Sequence, residues 1–494
     1  MVFYLFYCRK WVYKKKFTLW LWYMKWNKSF RLVPLYVVFI TVLIGIRFKS
    51  YFFLPIPLWY DWGMYRDFML ASFNFLPNIH LSNFAPWIQQ TYEPALWLLT
   101  NIPLLFWYSV DWLLLWWVGF LSVVTWIFVY LALKKYGTYT GYLGMLLFWI
   151  SLIQYQTFWR WYLKQIIGII LMLSIFTLFE RKKYWIQFPL LIMLFGINRP
   201  GGMFFLLVFA LWQLVSWLRT RTIDKNFIWT VLWSGLLALG IYIPVFREQI
   251  LVMFSPLLSS IFIEGTSGTF FSLKEFIFYD IFFILFSLRW VYRKIIKKDR
   301  DWMFIWWVVW CVWVFLGLFF YSRVSIYWDI FIILLAAYGL KDIYHHKKLL
   351  FYWLFGGFLV LQSSRYLYYV STMSFPLIDQ SEFINIQHMD TLVPDKAIIM
   401  VTNKKYSAFV QWRTHQDIIA PWLFDLDRRD QSRWDARHQW DGSKKCMMMQ
   451  DYSDLKRPIY LRIGKNQPVE NFEGQHCFES IENWWSYLIL KWIP

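Results

Sequence analysis

The stretch WMFIWWVVWCVWVFLGLFF, Trp302–Phe320, holds no charged residue, and its reading decides the kind of fold to expect. As an α-helix it would reach roughly 28 Å at 1.5 Å per residue, close to the ~30 Å of a bilayer's hydrocarbon core. Basic residues bracket it, at Arg293–Arg300 before and at Arg323 after. Apolar blocks of the same kind recur at Leu32–Ile46, Leu113–Leu133, Phe227–Val245 and Ile326–Leu340. Lipid offers no partner for a backbone amide, so blocks of this kind are expected to be helices. The rest of the composition agrees. Of 494 residues 59% are hydrophobic and only 16% charged, against roughly a quarter charged in soluble domains. The expectation is an all-α polytopic membrane bundle.

The formal net charge of +20 would suggest nucleic acid in a soluble chain. Here the basic residues fall in short clusters between apolar blocks: Arg9–Arg31, Lys134-Lys135, Arg181–Lys183, Arg219–Lys225, Arg293–Arg300 and Lys341–Lys348. The positive-inside rule accounts for that pattern, so these turns are expected in the cytoplasm and nucleic acid is not expected as a partner. The basic start, MVFYLFYCRKWVYKKKF, lacks a small-residue cleavage site and is read as leading into an uncleaved anchor. Three apolar segments precede Lys134, which by parity would put it outside. Pro94–Trp107 is short and contains Pro94 and Pro103, so it is expected to lie along or only partly enter the outer leaflet. About 11 spans follow from the length rule. They form a unit over residues 1–363 with a long first external loop at 47–93. Residues 364–494 are polar, with short strands expected at Ile398–Val401 and Pro458–Ile463 and helices at Ser381–Leu392 and Ser480–Lys491. They are expected to form a small external α/β domain. No internal repeat is visible, which speaks against an inverted-repeat transporter.

The first external loop carries YDWGMYRDF at Tyr60–Phe68 and TYEPALWLL at Thr91–Leu99. Loops this long are functional or disordered, and its aromatic content speaks against disorder. It offers Asp61, Asp67 and Glu93 as carboxylates able to take a proton from an acceptor hydroxyl. Asp61 reads equally well as the cap of a helix starting at Trp62. Further turns assigned to the outside are Gln154–Gln165, Ile197–Gly202, Arg247–Glu275 and Tyr321–Asp329. They carry Arg160, Lys164, Arg199 and Arg323, where the positive-inside rule predicts few cations. One such residue alone is explained by snorkelling to headgroups. Several beside a carboxylate loop point to a phosphate, which guanidinium groups grip bidentately.

Four cysteines are too few for a disulfide framework. Cys8 and Cys311 read as structural thiols, whereas Cys446 and Cys477 share the polar tail and can pair in an oxidising space. His345-His346 belong to a charge cluster, Met447–Met449 to core filling, and the Asp-x-Asp of DLDRRD at Asp425–Asp430 to a solvated loop. No dinucleotide, Walker or zinc-protease motif is present, and no cofactor is expected.

The layout resembles a family. An early Asp lies in a long first loop, a Tyr-x-Pro stretch follows at Tyr92–Pro94, and KKYG stands at Lys134–Gly137. ERKKYW then precedes a span ending in the break NRPGG, and an Arg loop precedes ILLAAYGL at Ile333–Leu340 and a soluble tail. This is similar to the GT-C class of integral membrane glycosyltransferases, such as dolichyl-phosphate-mannose mannosyltransferases and the aminoarabinose transferases of lipid A. The resemblance implies transfer of a sugar from a polyprenyl-phosphate donor to a lipid, glycan or protein hydroxyl at the outer face of a plasma or inner membrane. It implies Asp61 as the acceptor-activating carboxylate, with Asp67 as runner-up. It assigns Arg323, and then Arg199 and Arg160, to the donor phosphate. The metal-dependent members carry acidic residues in the second external loop. FWRWYLKQ has none, which implies a monophosphate donor handled without metal. The competing reading is a transporter or flippase of lipid-linked saccharides, which would need ionisable residues along a path through the spans. The spans look poor in them.

Overall fold

The computed structural model describes residues 94–106, 109–160, 162–179, 182–242, 271–296, 302–316, 321–372, 380–401 and 452–464, with shorter pieces between positions 41 and 70, from 406 to 419, and around 378, 446–450 and 477–492. Residues Met1–Lys49 form one compact unit and Ser50–Pro494 another. The second unit holds a helical bundle and a small sheet.

Its helices are α1 (Pro94–Leu105), α2 (Val110–Lys134), α3 (Thr138–Ile150), α4 (Leu152–Trp159), α5 (Leu163–Phe179), α6 (Tyr184–Ile197) and α7 (Arg199–Thr220). They continue as α8 (Lys225–Tyr242), α9 (Leu273–Ile296), α10 (Trp302–Phe315), α11 (Tyr321–His346), α12 (Lys348–Thr372) and α13 (Gln380–Leu392). Among the described residues, Trp116–Lys134 and Val324–His346 are long and apolar enough to cross a membrane. The outward faces are apolar. Along α8, Trp229, Leu232, Trp233, Leu236 and Leu237 are exposed while Phe227, Val231, Ser234 and Ala238 are buried. Spacings of three and four residues put the exposed set on one stripe. An uninterrupted stripe of Trp and Leu facing outward suits lipid as the solvent.

α11 is the central helix. It packs against α3, α9, α10 and α12, and Ile326 through Ala337 are all buried. Its approach to α9 is close because Gly339 has no side chain: a Cβ there would sit 2.2 Å from the Phe286 carbonyl oxygen. Small residues let helices meet at backbone distance, where dispersion and helix-to-helix contacts replace the missing hydrophobic drive. At one end the same two helices are clamped by charge. Arg289 Nε lies 3.1 Å from Asp342 Oδ2, and the Arg293 guanidinium reaches Asp342 Oδ1. Lys341 donates to the Tyr136 carbonyl there, so this end gathers the turns assigned to the cytoplasm.

Several expectations about loops are corrected. Gln154–Trp159 is helical and buried as α4, because Ser151 breaks the span and its Oγ caps the new helix by accepting from Gln154 N at 3.1 Å. Tyr321–Asp329 is the start of α11, and Asp329 lies fully buried more than two turns inside. Glu275 belongs to the first turn of α9, where it accepts from Ser272 N at 2.8 Å. α1 has 12 residues, about 18 Å of helix, less than a crossing requires.

The chain leaves the bundle through α12, which runs past Ser363 to Thr372. Beyond it stands a five-stranded sheet, order β2-β1-β3-β5-β4, made of β1 (Ile398–Val401), β2 (Asp417–Ile419), β3 (Ile459–Gly464), β4 (Phe478–Asn483) and β5 (Tyr487–Trp492). β1 pairs in parallel with β2 and β3, and β5 runs antiparallel to β3 and β4. The helix expected at Ser480–Lys491 is therefore a hairpin. Tyr487, Leu488, Ile489 and Leu490 give β3 its antiparallel neighbour, and Ile489 and Leu490 are buried. Pairing along β3 overrides the local helical reading. Cys446 and Cys477 are disulfide-bonded with Cα atoms 5.9 Å apart and join Met449, Tyr452 and Trp492 in the core under the sheet.

Candidate functional site

At the end of the bundle away from Asp342, the starts of α5 and α7 and the second turn of α11 are tied through Asn198. Each helix carries a basic residue in its first turn, Lys164, Arg199 and Arg323. A helix start exposes unpaired N–H groups and the positive end of the macrodipole. Cations are disfavoured there, so three together make a concentrated positive field whose natural complement is an anion.

Asn198 joins the three helices. It stands in the break between α6 and α7, and its Oδ1 accepts from Gly201 N at 2.9 Å as the cap of α7. Its Nδ2 donates to the Lys164 carbonyl at 2.9 Å and to the hydroxyl of Tyr327, one turn into α11 from Arg323. Only 2% of Asn198 is exposed. At Gly168 a Cβ would come within 2.4 Å of Asn198 Nδ2, so α5 presents a bare backbone where the amide enters.

Arg160 has other described contacts. It follows α4, its Nε donates to Gln156 Oε1 at 3.0 Å, and its guanidinium lies 5.9 Å from the Phe271 ring centroid. Gln156 in turn donates to the Tyr369 hydroxyl near the end of α12. The structure thus places Lys164 and Arg199 beside Asn198 and Arg323 one turn from its partner Tyr327, while Arg160 contacts Gln156 and the Phe271 ring. Asp61, Asp67 and Glu93 lie outside the described residues. Two described neighbours bear on that loop. Arg66 Nε lies 3.2 Å from Asp111 Oδ1 in the first turn of α2. Ala95 lies against Gly196 near the end of α6, two residues before Asn198.

Two further residues escape a reading of the sequence. Asp280 of α9 and Asp329 of α11 are fully buried, and their carboxyl groups lie within hydrogen-bond reach of each other. Asp329 Oδ2 accepts from Ser151 Oγ at 2.9 Å and from Gln154 Nε2 at 2.7 Å, which anchors the break between α3 and α4. Beyond that contact, Asp329 Oδ1 and both Asp280 oxygens have no donor among the described residues. The signal is a lone Asp inside each of two alike apolar strings, YDIFFIL at 279–285 and WDIFIIL at 328–334. An ionisable residue inside a span calls for an account.

No family model matches the chain, and no curated protein matches it in sequence. Solved structures do match it in shape. The archaeal oligosaccharyltransferase AglB from Archaeoglobus fulgidus, in complex with an inhibitory peptide and a dolichol-phosphate, superposes with a TM-score of 0.62 over 88% of this chain and 70% of that one, at 12% identity. ArnT from Cupriavidus metallidurans, bound to undecaprenyl phosphate, gives 0.57 over 94% and 98%, at 10% identity. Both are GT-C glycosyltransferases. The fold is theirs. At such identities the likeness speaks for the arrangement of the chain, and chemistry has to be argued from its own residues.

Proposed function

We propose that this protein is an integral membrane glycosyltransferase that moves a sugar from a polyprenyl-phosphate donor to an acceptor hydroxyl at the outer membrane face. The observation that carries the reading is the meeting of three helices, each with a basic residue in its first turn, at Asn198. A phosphate ester is the anion that a membrane-embedded GT-C fold has reason to hold at the end of its spans. Both structural neighbours bind a polyprenyl-type phosphate, dolichol-phosphate in one and undecaprenyl phosphate in the other.

In this reading Arg323 and Arg199, with Lys164 behind them, hold the donor phosphate. Arg160 stands to the side. Asp61 accepts the proton of the acceptor hydroxyl as its oxygen attacks the anomeric carbon, with Asp67 and Glu93 next in order. The bond from that carbon to the phosphate oxygen breaks, and the polyprenyl phosphate leaves with the electron pair. The work asked of the protein is positioning and charge stabilisation. About 11 spans over residues 1–363 would carry the site, and residues 364–494 would form the domain on the non-cytoplasmic side of a plasma or inner membrane.

The test uses the whole protein in lipid nanodiscs, undecaprenyl phosphate as the binding probe, and a panel of labelled polyprenyl-phosphate sugars for turnover. Arg323→Ala should weaken probe binding about tenfold or more, the loss of a charge-assisted pair. Asp61→Asn should leave it unchanged while turnover falls ~10²–10⁴-fold, the worth of a positioned base. Normal probe binding by Arg323→Ala would remove the donor site from this place. One observation favours a second reading, a flippase of lipid-linked saccharides: the buried Asp280–Asp329 pair supplies intramembrane carboxyl groups. Transbilayer movement of a labelled donor without sugar transfer would select that reading instead.

A further inference from the structure

A helix cap requires one acceptor, and Asp or Ser supplies it as well as Asn does. Asn198 does more than cap. Its Oδ1 takes the Gly201 N–H of α7, which also fixes which side of the amide carries the nitrogen. Its Nδ2 then spends both hydrogens on the other two helices, the Lys164 carbonyl of α5 and the Tyr327 hydroxyl of α11. The Tyr327 ring is itself held in place, stacked on Trp310 with centroids 5.6 Å apart. The bare backbone at Gly168 completes the seat, since a Cβ there would also crowd the Tyr327 hydroxyl at 3.2 Å. One buried amide thus sets the mutual spacing of α5, α7 and α11.

We infer that Asn198, with Tyr327 as its partner, is the positioning residue of the donor-phosphate site, fixing the register at which Lys164, Arg199 and Arg323 face one anion. The inference rests on the donor-site reading above. Neither Asn198 nor Tyr327 need touch the phosphate. Binding groups must be held to within ~0.5 Å for a site to work, and a buried polar tie from two backbones to the Tyr327 hydroxyl does that better than packing alone.

Asn198→Ser separates the tie from the cap, because serine keeps a neutral cap and loses the amide donors. Tyr327→Phe removes the acceptor from the other side without altering charge or ring. Each should weaken binding of undecaprenyl phosphate to the full-length protein about tenfold. Asn198→Ser should leave the melting temperature within a few degrees, as retained caps do. If Asn198→Ser binds the probe like the wild type, the role is capping alone and the inference falls. If only Asn198→Ser fails and Tyr327→Phe binds normally, the tie to α11 does not position the site, and the inference falls as well. Arg323→Ala tells the two levels apart. Normal binding there ends the donor-site reading and this inference with it. Weak binding there beside a normal Asn198→Ser ends the inference only.

Discussion

Asp280 and Asp329 have the same burial and opposite surroundings. Asp329 accepts from Ser151 and Gln154, so its carboxyl group satisfies two buried donors. Asp280 has the Asp329 carboxyl group as its hydrogen-bond partner, a contact that requires a proton shared between the two. Substitution should reveal the asymmetry. Asp329→Ala takes the acceptor from the Ser151 hydroxyl and one of two acceptors from the Gln154 amide, which keeps the Ile326 carbonyl, and a buried orphan costs ~1–3 kcal/mol. Asp280→Ala removes one half of the carboxyl pair and leaves the donors on Asp329 in place. Its small cavity should be offset by relief of the cost of burying a second carboxyl group, and Asp280→Asn should do better by donating to Asp329 without a shared proton. Thermal unfolding in nanodiscs checks the order: Asp280→Asn at or above wild type, Asp280→Ala near it, Asp329→Ala clearly below. Equal losses for both alanine variants would mean that Asp280 stabilises the bundle as much as Asp329 does, against this account.

At the scale of elements, the two glycine environments of the bundle make opposite predictions. Gly339 in α11 meets the Phe286 backbone of α9, which cannot rotate aside. Gly339→Ala must push two central helices apart, and overpacking of this kind costs ~1–3 kcal/mol. Gly356 in α12 has open space around the position of a Cβ. There alanine should stabilise by ~0.5–1 kcal/mol through helix propensity. Unfolding midpoints of the two variants should move in opposite directions. These elements are unevenly legible in the sequence. The Ala/Gly-rich string at Ile333–Leu340 marks the span that is α11, and the break at Asn198 is visible in NRPGG. The break at Ser151 is not, because the Asp329 carboxyl group that holds the capping hydroxyl lies 178 residues away. The hairpin of β4 and β5 reads as helix because the demand for a strand beside β3 is not local. For the site, the basic residues at helix starts stand out by their conflict with charge asymmetry. Asn198 escapes notice because an asparagine before Arg-Pro-Gly looks like an ordinary cap until its amide nitrogen has partners.

For the molecule as a whole, α12 decides where the sheet stands. It has 25 residues, about 37 Å of helix at 1.5 Å each, enough to cross ~30 Å of hydrocarbon with some tilt. Leu349, Trp353, Val360, Leu361, Leu367 and Tyr368 are exposed along it, so the apolar stripe runs nearly from end to end. At its start Lys348 lies over the Tyr344 ring beside the Asp342 cluster, and at its far end Tyr369 meets Gln156 near the candidate site. A crossing by α12 would put the turn at Lys347 and the sheet on opposite sides of the membrane. In the proposed topology the basic clusters at the Asp342 end hold that turn inside, and the sheet and the candidate site share the outer face, where an acceptor would arrive. Single cysteines placed by Lys347→Cys and Ser381→Cys, in a background carrying Cys8→Ser and Cys311→Ser, test this in intact cells with a membrane-impermeant maleimide. The Ser381→Cys protein should label at once and the Lys347→Cys protein only after permeabilisation. The reverse pattern would invert the topology and place the phosphate site in the cytoplasm. Labelling of both from one side would mean that α12 does not cross, and the sheet would then stand with the basic turns, away from Asn198.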